Sequence, residues 1–137
     1  MATNVYDGTD AVFGRIASVV AKDLLKGNSV NVINCEAMIV SGDKKLFAKK
    51  ILTKGEMGRG GSMKGPSYPR VADRLVKRMI RGMLPWDRAK GRAAFKQLKC
   101  YIGNGDVTEE EAAKAIKFDH KKPMKYSTIK EIVEILK

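Results

Sequence analysis

Between residues 70 and 83 the sequence RVADRLVKRMIRGM sorts into two sets that do not mix. Wound as a helix at about 100° per residue, Arg70, Arg74, Lys77, Arg78 and Arg81 fall within about 100° of arc, and Val71, Ala72, Leu75, Val76, Met79, Ile80 and Met83 take the other side. A helix with one apolar face must bury it against other elements, so this segment demands a layered fold. Beyond Pro85 the pattern recurs: Arg88, Arg92, Lys96 and Lys99 form a second stripe about 80° wide, with Phe95 and Leu98 beside it.

The rest of the chain supplies those elements. NVYD reads as a short strand, AVFGRIASVVAKDLLKG as a helix stopped by Gly27, SVNVINC as a second strand, and AMIV as a further short apolar run. Ser41 is placed to cap a helix over DKKLFAKKILTKG. Strands alternating with helices predict an α/β fold, with apolar strands suited to a sheet covered on both faces. Residues 55–69 hold five glycines and two prolines and read as a basic loop. A helix over 70–83, a second over 87–97, a strand at KCYI and a turn at GNGD follow. Thr108 with Glu111 and Thr128 with Glu131 have the spacing of capping boxes before two closing helices. The 137 residues suit one domain, with a core over about 4–106 and a helical extension over 107–137.

Charge is divided unevenly. Residues 1–40 carry three basic and four acidic side chains, residues 41–102 carry seventeen and four, and residues 103–137 carry seven of each, so the net charge of +12 resides in the middle. A one-signed block in a folded chain creates a field suited to a polyanion. Charged stripes are ordinarily solvated faces, but those alternate Glu with Lys for i,i+4 pairing, whereas neither stripe here contains an acid. Phosphates would neutralise them, and six of the nine stripe positions are arginine, whose planar fork suits phosphate and stacks on bases. No zinc-finger spacing, basic zipper or helix-turn-helix appears, which favours RNA over DNA. Trp86 and Tyr68 either stack on bases or pack within the fold, and their positions favour packing.

Other chemistry is poorly supported. No apolar run approaches the roughly 18 residues of a membrane span, and the N-terminus lacks a secretory pattern, which predicts a cytoplasmic protein. Cys35 and Cys100 read as buried free thiols, and a metal site or catalytic triad would rest on His120, the one histidine. VYDGTD is similar to the Asp-x-Asp-Gly-Thr signature of haloacid-dehalogenase-type phosphatases, but Val5 stands at the nucleophile's position, and Asp7 reads as stabilising a turn. GRGGSMKG misses the phosphate-loop spacing.

The stretch IRGMLPWDRAKGRAAFKQLKCYIG, residues 80–103, resembles the signature of the universal large-subunit ribosomal protein thirteen (L-thirteen) family in its archaeal and eukaryotic form, with Cys100 where an aliphatic residue is usual. DAVFGRIAS and NCEAMIVSGDK add to the likeness in the expected order. The resemblance implies a three-layer α/β/α domain with a small, mostly parallel central sheet, and a structural role in the large ribosomal subunit. It implies large-subunit ribosomal RNA and neighbouring ribosomal proteins as partners, and a part in subunit assembly. It also implies no enzyme activity, no cofactor, no membrane or small-molecule ligand, and no obligate homo-oligomer. An alternative role is an extraribosomal, messenger-binding regulator of translation. The candidate RNA contacts are Lys44, Lys45 and Lys49 on the second helix, Arg59 and Lys64 in the loop, Arg70, Arg74, Lys77, Arg78 and Arg81 on the first stripe, and Arg88, Lys90, Arg92, Lys96 and Lys99 around the second.

Overall fold

In SVNVI the side chains of Val30 and Val32 point to one face of a sheet and Ile33 ends on the other, the period of two that a doubly covered strand requires. A computed structural model describes residues 2–58 and 65–137. Along the chain run β1 (Thr3–Asp7), α1 (Phe13–Leu25), β2 (Ser29–Ile33), β3 (Ile39–Ser41), α2 (Lys44–Gly55), α3 (Ala72–Arg81), α4 (Ala89–Lys96), β4 (Leu98–Cys100), α5 (Glu109–Ala113), β5 (Ile116–Lys117), β6 (Tyr126–Thr128) and α6 (Ile129–Leu136). The central sheet has the order β4-β2-β1-β5 with every pairing parallel, β1 lying in register with β2 from Thr3 opposite Ser29 to Asp7 opposite Ile33. β3 and β6 form a separate antiparallel pair. This is the predicted small α/β fold around a parallel sheet.

The layers are unequal. On one face Tyr6, Val30, Val32 and Leu98 join Ile16, Val20 and Leu24 of α1, Leu75, Val76 and Ile80 of α3, and Ile129 and Ile132 of α6 in one large core. On the other, Val5 and Ile33 form a smaller cluster with Val107, Ala112, Ala115 and Tyr101 around the short α5. Residues 107–137 thus add an edge strand to the sheet and a helix to the core.

Several boundaries differ from expectation. Ser41 ends β3, and the cap of α2 is Asp43, whose carboxylate accepts the Lys45 N–H at 3.0 Å. The 70–83 helix is shorter at both ends, because Val71 is extended and the chain turns at Gly82. Arg88 is likewise extended, so α4 starts at Ala89, and after the single cap residue Gln97 the chain enters β4, one residue before the expected strand. The predicted capping boxes at Thr108 and Thr128 are both formed. Neither two-residue β5 nor three-residue β6 was foreseen, since neither is long enough to show a period.

Polar groups at the strand ends are used locally. Asp7 accepts from the Thr9 N–H at 3.0 Å, the Thr9 hydroxyl at 2.8 Å and the Asn34 amide at 2.9 Å, forming the turn anticipated for it. Burial opposes its charge, but these hydrogen bonds outweigh burial and hold its carboxyl below the ordinary range. His120 Nε2 accepts the Val12 N–H at 3.0 Å, so the one histidine secures the start of α1. Cys35 and Cys100 are free thiols, Cys35 buried and Cys100 half-buried; the neighbouring Cys100 side chain, then burial, pushes the Cys35 thiol up.

Asp23, near the end of α1, accepts from the Tyr6 hydroxyl and from the Asn4 amide at 2.9 Å. The Tyr6 bond foremost lowers its pKa below the usual 3.8. A carboxyl lowered in the folded state contributes stability that is present above its unfolded value and lost as pH falls through the folded one. Asp23→Asn is therefore expected to cost about 1–2 kcal/mol near neutrality, because charge-assisted bonds become neutral ones. In thermal unfolding scans the gap to the parent should close below about pH 4. A gap that persists in strong acid would assign the loss to packing instead.

Candidate nucleic-acid interface

α3 forms where Val71 breaks into an extended conformation, Asp73 supplies an acid to the first turn, and Arg78 and Arg81 supply cations to the last, each end matching the helix dipole. Leu75, Val76 and Ile80 are buried, and the opposite side is left to the basic residues. Arg74 is exposed, whereas Lys77, Arg78 and Arg81 are half-buried, because each lies against an aromatic ring. The Arg81 guanidinium sits 3.9 Å from the Trp86 ring centroid, Arg78 sits 4.7 Å from Tyr68, and the Lys77 ammonium lies 5.1 Å from Phe95. Arg78 Nε also donates to the Ser67 carbonyl at 3.3 Å. Trp86 and Phe95 pack edge to face with centroids 5.2 Å apart. Such contacts are worth about 0.5–1 kcal/mol each at exposed sites. Their larger effect is to hold each cationic group beside a ring, from which its remaining N–H groups can reach a phosphate.

Arg74, Lys77, Arg78 and Arg81 line an open cleft of about 420 Å³ together with Pro69, Trp86 and Phe95. Lys99 on β4 joins Arg74 and Lys77 in an adjoining depression, so the two predicted stripes meet through it. Among the described residues none of the stripe cations forms an ion pair; the pairs present are Lys26–Asp23, Lys122–Asp10 and Lys125–Asp43.

The second stripe does not survive as a single helix face. Arg88 precedes α4 and Lys99 lies on a strand, so only Arg92 and Lys96 remain on the helix. Arg92 donates to the carbonyls of Trp86 at 3.1 Å and Asp87 at 3.2 Å, closing the turn that carries the tryptophan. Arg88, Lys90 and Lys96 are exposed, and Arg70 lines a groove with Tyr68 and the end of α2. Lys44, Lys45 and Lys49 are exposed on α2, which packs on α6 and β6, and none of them lines the α3 cleft. Arg59 and Lys64 lie outside the described residues. The pairing of cations with rings is what sequence reasoning missed: packing and stacking are alternatives there for Trp86 and Tyr68, whereas Tyr68 packs against the core and lies under Arg78, and Trp86 packs edge to face on Phe95 and lies under Arg81. The five-residue step from Arg81 to Trp86 across Gly82 and Pro85 was the available signal.

Among the described residues, no three His, Cys, Asp or Glu side chains cluster to hold a metal, and no helix is long and apolar enough to cross a membrane. Residues 2–106 match the family model described as Ribosomal protein L13. The chain belongs to this family. It is 48% identical over 106 residues to large ribosomal subunit protein uL13 of Methanopyrus kandleri, a match covering 77% of this chain and 65% of that protein. It is 36% identical over 132 residues to the uL13 of Methanocaldococcus jannaschii, covering 93% of each, and 34% identical over 136 residues to that of Archaeoglobus fulgidus, covering 96% and 86%. L13 proteins are structural ribosomal components, so this chain is not an enzyme. Part of the 80–103 stretch that carries the L13 likeness, GMLPWDRAKG, is the joint between α3 and α4 and seats Trp86 beneath Arg81. The L13 family match ends at residue 106, whereas β5 and α6 lie beyond it.

Proposed function

We propose that this chain is a structural constituent of the cytoplasmic large ribosomal subunit that binds large-subunit ribosomal RNA through α3 and the adjoining basic residues, and so supports assembly of the subunit. The observation that carries the RNA contact is the α3 face, where Arg74, Lys77, Arg78 and Arg81 line one cleft and three of them are braced on aromatic rings without a carboxylate partner. Like charges crowded in this way repel one another until an anion enters, and a phosphate backbone supplies anions at regular spacing. Arg88, Lys90, Lys96 and Lys99 extend the surface, and Lys44, Lys45 and Lys49 provide a separate contact on α2. One copy of the chain meets the RNA on this face and neighbouring ribosomal proteins elsewhere.

The test is the salt dependence of binding to a large-subunit ribosomal RNA fragment. With about 6–10 phosphates neutralised, affinity should fall by about 10³–10⁵ between about 50 and 200 mM salt. A flat response would remove the phosphate-based reading.

A further inference from the structure

The α3 cleft has a feature that phosphate contact does not require. Its lining is cationic in Arg74, Lys77, Arg78 and Arg81 but apolar in Pro69, Phe95 and Trp86, and Trp86 is left 36% exposed although it is the largest residue in the chain. A site built only for phosphate oxygens gains nothing from exposed aromatic surface, and leaving that surface in water costs roughly 25 cal/mol per Å². Nucleotides supply what would cover it: a flat π-face for the aromatic lining, with a phosphate for the cations. The Arg81 guanidinium, 3.9 Å from the Trp86 ring centroid, adds a second kind of stacking surface. A base inside a paired helix has both faces covered by its neighbours and cannot enter such a cleft, so the occupant must be unpaired.

We propose that this cleft seats one unpaired, splayed-out nucleotide of the bound RNA, its base on the Trp86–Phe95–Arg81 platform and its phosphate held by Arg74 and Arg78. The proposal rests on the RNA-binding reading above and narrows it from a charged surface to a site that selects a local RNA shape.

Trp86 is the sole tryptophan, so the protein carries its own reporter at the site. The full chain is titrated with two RNA hairpins that are identical except for one unpaired adenosine bulged from the stem of the second. The bulged hairpin is expected to bind about tenfold more tightly, as for one stacked base, and to quench Trp86 fluorescence well beyond the quench from the paired hairpin. Trp86→Leu, which keeps apolar contact with Phe95, should lower affinity for the bulged hairpin by about the same factor and remove the preference, and Trp86→Phe should retain most of it. Equal affinity and equal quenching with the two hairpins would overturn the nucleotide site while leaving RNA binding intact. Failure to bind either hairpin at low salt would overturn both.

Discussion

A chain carrying Arg74→Glu, Lys77→Glu and Arg81→Glu together is expected to lose about 10³-fold or more in affinity for a large-subunit ribosomal RNA fragment while keeping its far-ultraviolet circular dichroism spectrum. Three cations that line one cleft become three anions, so counterion-releasing contacts are removed and repulsion from the phosphates is added in their place. The fold should tolerate the change. α3 is held by Leu75, Val76 and Ile80, which are buried on the far side and untouched. The helix loses the cation–π contacts of Lys77 and Arg81, about 0.5–1 kcal/mol each, a small part of the stability typical of a chain this size. Binding and unfolding should both be measured, since retained affinity would move the interface away from α3 and an unfolded spectrum would make the basic stripe structural.

Gly91→Ala should have the largest effect on stability for the smallest chemical change. Gly91 is buried in the first turn of α4, and a Cβ there would stand 2.1 Å from the carbonyl oxygen of Pro85 and 2.5 Å from its carbon. Both are backbone atoms within the tight segment 84–88, where Trp86 N–H donates to the Leu84 carbonyl at 2.8 Å and Arg88 N–H donates to the Pro85 carbonyl at 3.1 Å. Neither a rotamer change nor a flexible side chain can relieve the overlap, so α4 must move off the joint. A cost of about 3 kcal/mol or more is expected, lowering the midpoint of thermal unfolding by about 10 °C. The same variant should bind RNA more weakly, because Trp86 and the Arg92 hydrogen bonds lie on the displaced segment. Gly14→Ala is the control: an added Cβ in α1 meets nothing within 4 Å, and alanine should stabilise the helix by about 0.5–1 kcal/mol. If the two substitutions behave alike, the close approach of α4 to Pro85 is not what requires glycine.

Family membership was legible from residues 80–103, and the basic face of α3 from its helical period. The same method failed a few residues later. Arg88, Arg92, Lys96 and Lys99 share a stripe only if one helix spans them, and the chain makes the first the helix N-cap and puts the last on a strand. Periodicity is evidence about faces only within a single element, and it cannot locate the element's ends. Asp43, rather than Ser41, caps α2 for a related reason: several residues before a helix can cap it, and the turn geometry around them selects one.

The sequence by itself determined that α3 has an apolar and a basic side, that Thr108 and Thr128 open helices, and that the charge excess sits between residues 41 and 102. These are properties of neighbours within a turn or two, set by bond geometry and hydrogen bonding along the chain. Only the tertiary structure decided that Tyr68 lies under Arg78, that Trp86 lies under Arg81, that Lys99 stands beside Arg74 and Lys77, and that His120 holds the start of α1 from 108 positions away. Those contacts follow from where the apolar faces of α3, α4 and α6 come to rest on the sheet, and burial of apolar surface has no direction of its own. It drives the elements together, and the shapes of particular side chains, with a glycine wherever backbones must touch, settle which residues meet.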